Sequence, residues 1–141
     1  MRVVAYSIKS TEKEPLAIAN HKKHEITLIS NPLTEATVSF ATGKDAVVVF
    51  TDDDVSAAVI KRLAALGVKY IATRSTDRSN IDLKAAVAHH MKIANVSYKA
   101  ISGISEEQIP MILAVETINN LDKWEGRKCL GDACICSRTC N

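Results

Sequence analysis

The chain has 141 residues, 47% of them hydrophobic and 24% charged, which suits one soluble globular domain able to bury its own core. Its 18 basic residues nearly cancel 16 acidic ones, and no basic stripe with interleaved aromatics is present. Charge therefore gives no case for nucleic acid, and no apolar run is long enough for a membrane-spanning helix. The first residues lack the charged-then-apolar pattern of a signal peptide, so the sequence-based expectation is a cytoplasmic setting in which thiols stay reduced.

Short β-branched runs alternate with amphipathic stretches. Arg2–Tyr6 reads as a strand, and Thr11–His24 as a helix with Pro15 near its start. Glu25–Ile29 is a second strand, and Thr34–Phe40 a short helix capped by Thr34. Ala46–Phe50 is apolar throughout, as a strand covered on both faces should be. A helix over Val55–Leu66 follows, with Asp54 or a neighbour as its cap and Gly67 as its stop. Lys69–Thr73, a helix over Ile81–His89, and the strand Lys92–Val96 come next. A final helix runs from Glu106 to Trp124, with Ser105 and Gln108 placed as a capping box.

Five strands alternating with five helices predict an α/β, flavodoxin-like, doubly wound five-stranded parallel sheet with helices on both faces. Ligands of such sheets sit beyond the carboxyl ends of the strands, where strand order reverses. The loops to inspect are Ser7–Ser10, Thr51–Asp54, Arg74–Asn80 and Ser97–Gly103.

Asp52, Asp53 and Asp54 follow the third strand, where carboxylates could hold a hard cation or cap the next helix; capping is the simpler reading. A phosphoacceptor receiver domain would also carry an Asp there and a Lys such as Lys99 after the fifth strand. It would need an acidic pair after the first strand, where Ser7 and Lys9 stand. His21 and His24, and the adjacent His89 and His90, lack the companions of a metal site and read as surface residues. No glycine-rich phosphate loop and no nucleophile elbow occurs. The final helix carries apolar residues around more than one narrow stripe, from Ile109 to Leu121, so a homodimer through it stays open beside simple core packing.

The run Gly67-Val68-Lys69-Tyr70-Ile71-Ala72-Thr73-Arg74-Ser75-Thr76-Asp77-Arg78-Ser79-Asn80-Ile81-Asp82-Leu83 resembles a segment of the D-isomer-specific 2-hydroxyacid dehydrogenases, nearest their D-lactate dehydrogenase branch. Met1–Ser7, Phe50–Asp54 and Tyr98 share the likeness, which covers about residues 1–124. It implies the flavodoxin-like substrate domain of that family, with a ligand crevice at Asp52, Asp53, Ser75, Thr76, Asp77, Asn80 and Tyr98. The resemblance also exposes departures. The family's substrate-holding glycine corresponds to Asp77, its neighbouring aromatic to Arg78, and the Tyr-Ser-Pro pattern to Tyr98-Lys99-Ala100. The nucleotide-binding domain, with its glycine-rich fingerprint, substrate-binding Arg and His–Glu acid/base pair, would begin where this chain ends. NAD binding and catalysis are therefore not expected of this polypeptide by itself.

Residues 125–141 form a tail holding all four cysteines, Cys129, Cys134, Cys136 and Cys140, spaced Cys-x4-Cys-x-Cys-x3-Cys. Four thiolates could hold one zinc ion or an iron–sulfur cluster. Disulfides, in any of three connectivities, and free thiols are the alternatives, and a redox switch is the active form of the disulfide reading. Two functions follow as expectations. One is a non-catalytic, stand-alone relative of the substrate domain, a binding or interaction module with a separate protein partner and a metal-binding or redox tail. The other is an oxidoreductase component that works with a separate NAD-binding chain.

Overall fold

The computed structural model describes residues 1–126 and the backbone of Cys134–Ile135. Five short strands, β1 (Arg2–Ala5), β2 (Glu25–Leu28), β3 (Ala46–Val49), β4 (Tyr70–Thr73) and β5 (Lys92–Ala94), form one sheet in the order β2-β1-β3-β4-β5. All four of these pairings are parallel, with Val3 beside Ala46, Val47 beside Ile71, and Ile71 beside Ile93. This is the flavodoxin-like order, reversing between β1 and β3.

The sheet is covered on both faces. On one side Val4, Val47, Ile71 and Ile93 pack against α2 (Ala57–Ala65), α3 (Leu83–Ala88) and a 3₁₀ turn at Val38–Ala41. On the other, Val3, Ala46, Val48, Ala72 and Ala94 meet α1 (Ser10–Asn20) and α5 (Ile109–Glu125). Small residues in the middle of this second face let α5 settle close to the sheet. Ala114, Ile118 and Leu121 are buried there, and Trp124 stacks on Tyr70 with ring centroids 4.9 Å apart. Each fully buried Ile or Leu contributes about 1.5–3 kcal/mol. The wide apolar surface expected of the final helix is thus largely covered from within the domain; Val115 remains 38% exposed.

The sheet has a sixth strand that the alternating pattern did not announce. Cys134–Ile135 (β6) pairs antiparallel with β5, Cys134 beside Ala94 and Ile135 beside Ile93. Two residues carry no readable period, and their pairing covers part of the otherwise open edge of β5.

Element boundaries shift for local reasons. α1 stops at Asn20, four residues before the expected end, because His21 and Lys22 adopt left-handed φ values of 48° and 60°. The Asn20 side chain holds that turn, accepting from His24 N at 3.0 Å and donating to His24 O at 2.9 Å. Thr34 does not start an α-helix. Its hydroxyl accepts from Ala36 N and Thr37 N, a local turn that competes with helix and leads into the 3₁₀ turn. Val55 is withdrawn from α2 by a parallel bridge to Ile81. Asp82 caps α3 by accepting from Ala85 N at 3.0 Å. Residues 106–108 make a turn, so α5 begins at Ile109 with Pro110 in its first turn. A short helix, α4 (Tyr98–Ile101), occupies a stretch expected to be loop.

Candidate functional site

The carboxyl ends of β1, β3 and β4 converge on Arg74, the residue after β4. Its side chain follows a buried strand and is itself 1% exposed. Nε donates to Glu12 Oε2 at 2.7 Å, and Nη2 to Glu12 Oε1 at 3.2 Å and to the Ser7 carbonyl at 3.3 Å. Nη1 donates to the Tyr6 carbonyl at 3.0 Å. Glu12 can reach because it lies in the first turn of α1, where its Oε1 also accepts from Lys9 N at 3.1 Å. The Phe50 ring completes the group, with Arg74 Cζ 5.3 Å and Lys9 Nζ 5.4 Å from its centroid.

These residues line a pocket of about 180 Å³ between α1 and α5, walled by Leu16, Phe50, Pro110 and Leu113. Arg74 begins one of the loops singled out in the sequence but was not among the named crevice residues, and the pocket itself was not anticipated. The available signal was a charged residue continuing an apolar strand, which is buried only when paired.

Asp53 is 3% exposed and points inward. Its carboxylate accepts from Ser7 Oγ at 2.6 Å, Leu33 N at 2.8 Å and Phe50 N at 2.7 Å. One side chain thus ties together the loops after β1, β2 and β3. Nearby, burial first and the charge of Asp53 second push the Tyr6 phenol up to about 12, while its hydroxyl donates to the Thr37 carbonyl at 2.9 Å. Asp54 accepts from Ser56 N at 3.0 Å at the entrance to α2. Asp52 is exposed in the turn that precedes them.

The loop after β4 is a chain of small turns. Ser75 Oγ accepts from Asp77 N at 3.0 Å, and Asp77 Oδ1 from Ser79 N at 2.8 Å. Hydrogen bonds from the Ser79 backbone and then its hydroxyl hold the exposed Asp77 carboxyl below the usual carboxylate range. Asn95 links this loop to β5, donating to the Thr76 carbonyl at 3.2 Å and accepting from Arg78 Nη1 at 3.1 Å. Asn80 donates to the carbonyls of Phe50 and Asp53, both at 3.0 Å, while its Oδ1 is buried without a partner among the described residues. The fold therefore joins Asp53 to Asn80 and Ser75 to Asp77, with Thr76 on the same loop. Tyr98 opens α4 and is 70% exposed. Among the described residues, no hydrogen bond joins Tyr98 or Asp52 to the other candidates.

Of the four cysteines, Cys129, Cys136 and Cys140 lie outside the described residues, and Cys134 is described by its backbone alone. Among the described residues, no group of three His, Cys, Asp or Glu side chains is placed to hold a metal ion.

A second ionic cluster lies at the opposite, amino-terminal edge of the sheet. His24, read from sequence as a surface residue, is 6% exposed. Its Nε2 is 2.7 Å from Asp122 Oδ1, and its Nδ1 is 2.9 Å from Glu125 Oε2. The Met1 ammonium is 3.0 Å from Glu125, and Lys23 Nζ is 2.6 Å from Asp122. Burial pushes the Asp122 carboxyl up, but hydrogen bonds and charge from Lys23 and His24 outweigh it and leave it below its ordinary value. The cluster fastens the end of α5 to the segment before β2. His21, His89 and His90 are exposed, as expected.

Residues 3–129 match the family model described as D-isomer specific 2-hydroxyacid dehydrogenase, catalytic domain. The chain is 34% identical to the D-lactate dehydrogenase of Escherichia coli over 116 residues, 82% of this chain and 35% of that protein. A 2-hydroxyacid dehydrogenase homolog of Zymomonas mobilis is 30% identical over the same shares. Among solved structures, a Salmonella D-lactate dehydrogenase superposes with a TM-score of 0.67 at 31% identity, covering 90% of this chain and 39% of that one. The chain spans about a third of the length of the curated relatives it matches.

Proposed function

The chain belongs to the D-isomer-specific 2-hydroxyacid dehydrogenase family, matching its catalytic domain over residues 3–129, and from that premise we propose that it serves as a small binding module, not as a hydride-transfer enzyme by itself. Asp77 carries this reading. It stands where the resemblance expects the glycine whose backbone helps hold the substrate carboxylate. Here the position bears an exposed carboxyl that is more acidic than usual and engaged by Ser79 N at 2.8 Å. A fixed negative charge repels an anionic 2-hydroxy acid at that point. Its Cβ also disfavours the backbone freedom that glycine supplies.

The relatives are about three times longer, which favours a second reading: an oxidoreductase component that binds substrate and closes on a separate NAD-binding chain. Turnover measured with and without an added NAD-binding dehydrogenase domain separates the two, because only the component reading predicts activity when that domain is supplied. The purified chain is mixed with NADH and short 2-oxo acids, and cofactor absorbance is followed. The module reading predicts no oxidation above the protein-free control; turnover by the chain by itself contradicts it.

We assign the tail cysteines, Cys129, Cys134, Cys136 and Cys140, to one zinc ion or iron–sulfur cluster in a reducing, cytoplasmic setting. The support is four thiols within twelve residues and the cations Arg127, Lys128 and Arg138 beside them. Elemental analysis and a visible spectrum on anaerobically purified protein test this. Absence of zinc, copper and iron, with four titratable thiols, removes the metal reading. A homodimer on the outer side of α5, near half-exposed Val115, is checked by sedimentation; a monomer at all concentrations removes it.

A further inference from the structure

We infer that the pocket between α1 and α5 is a binding site for a short-chain monocarboxylate, distinct from the crevice formed by the loop after β4. This deepens the binding-module reading by assigning it a site and a ligand class. Three observations converge. The first is place: Lys9 follows β1, Phe50 follows β3 and Arg74 follows β4, so the pocket lies at the carboxyl ends of strands flanking the reversal of strand order. Open α/β sheets bind ligands there.

The second is charge. Lys9 and Arg74 are two cations against the single carboxylate of Glu12, so the polar wall carries one uncompensated positive charge. Among the described residues, Lys9 makes no salt bridge; its ammonium lies 5.4 Å from the Phe50 centroid. Arg74 has five N–H groups, and its four hydrogen bonds go to Glu12, Tyr6 and Ser7. One Nη1–H is left without an acceptor among the described residues, on a side chain that lines the pocket and is 1% exposed. A buried donor without a partner costs about 1–3 kcal/mol, and a carboxylate oxygen is an acceptor that satisfies it. Thr11, in the first turn of α1, lines the same wall, and the first N–H groups of a helix lack intrahelical acceptors.

The third is size and polarity. The rest of the wall is apolar, formed by Leu16, Phe50, Pro110, Leu113 and Ala114. The volume of about 180 Å³ exceeds what one water needs and falls below the roughly 300–1,000 Å³ of pockets for drug-sized ligands. One negative charge at one end and a few methylene groups at the other fill it. A dicarboxylate would bring a second anion against the apolar wall.

The test is an amide-resonance titration of the full chain with sodium butyrate, with butyramide as the uncharged counterpart. The proposal predicts saturable shifts centred on Thr11, Phe50 and Ala114 with butyrate and none with butyramide. Lys9→Gln, at an exposed position, should keep the spectrum and weaken butyrate roughly tenfold, the scale of one charge-assisted hydrogen bond. Leu113→Trp should block the pocket, and Asp77→Asn should leave affinity unchanged. Equal shifts with butyramide, shifts centred on residues 75–80, or no saturation at concentrations on the order of tens of millimolar would each overturn it. Turnover of 2-oxo acids with NADH would instead defeat the module reading while leaving a shift map at the pocket intact.

Discussion

Arg74 and Glu12 form an ion pair that fastens α1 to the carboxyl end of β4, Nε to Oε2 at 2.7 Å across 62 residues of sequence. Their side chains are 2% and 21% exposed, so neither charge can fall back on full hydration if its partner is removed. Glu12→Ala should therefore cost about 3–5 kcal/mol, the scale for breaking a buried pair from one side. Glu12→Gln, which keeps an acceptor, should cost less. Chemical denaturation measures both, and a Glu12→Ala loss within about 0.5 kcal/mol of zero would show that the pair contributes little.

Asp53 performs the corresponding task between three loops. Asp53→Ala strands Leu33 N and Phe50 N, which now donate to it at 2.8 and 2.7 Å. At about 1–3 kcal/mol for each buried unsatisfied group, a loss of several kcal/mol is expected in the same unfolding measurement. Asp52→Ala, at an exposed turn position, should change stability by no more than about 0.5 kcal/mol. Equal losses at the two positions would contradict the assignment of the structural role to Asp53.

At acid pH the cluster at the other edge of the sheet contributes to stability. Asp122 has its folded value below the ordinary carboxylate value. Its contribution is present above the unfolded pKa of about 3.9 and is lost as pH falls through the lower folded value. Asp122→Asn should remove that part of the acid dependence while leaving the neutral-to-alkaline limb in place. Unfolding free energy measured between neutral and acid pH provides the check, and an unchanged acid slope would sink it.

Tyr6 acts at the alkaline end with the opposite sign. Its phenol is pushed up to about 12, against about 10 in the unfolded chain. The stability linked to the neutral phenol is present below about 10 and declines as pH rises through the folded value. Tyr6→Phe should flatten this decline and cost about 1 kcal/mol through the lost hydrogen bond to Thr37 O. Ultraviolet titration of the tyrosines should show one of the three ionising late; three ordinary transitions would contradict the buried placement.

The sheet was legible in the sequence because its strands announce themselves. Ala46–Val49 is apolar and buried at every position, as a doubly covered parallel strand must be. Elements set by side-chain-to-backbone bonds were harder to read. Thr34 carries the mark of a helix cap, yet its hydroxyl closes a turn. Asn20, seen as one more helical residue, ends α1. In the site, the tandem aspartates drew attention, but their three side chains do different things that adjacency in sequence conceals. Arg74 was visible only as the first residue of a loop to inspect within a family-like segment. Its importance comes from Glu12, Tyr6 and Ser7, a whole sheet-width earlier in the chain, and no local pattern connects them. His24 was misplaced for the same reason, since Asp122 and Glu125 lie about a hundred residues away.

The claim that this domain binds without itself transferring hydride is tested most directly by titrating NADH with the purified full chain and following nicotinamide fluorescence. No enhancement is expected at micromolar cofactor. Saturable enhancement in that range would contradict that claim, placing a nicotinamide surface on a chain whose described loops are organised by Arg74, Asp53 and Asp77.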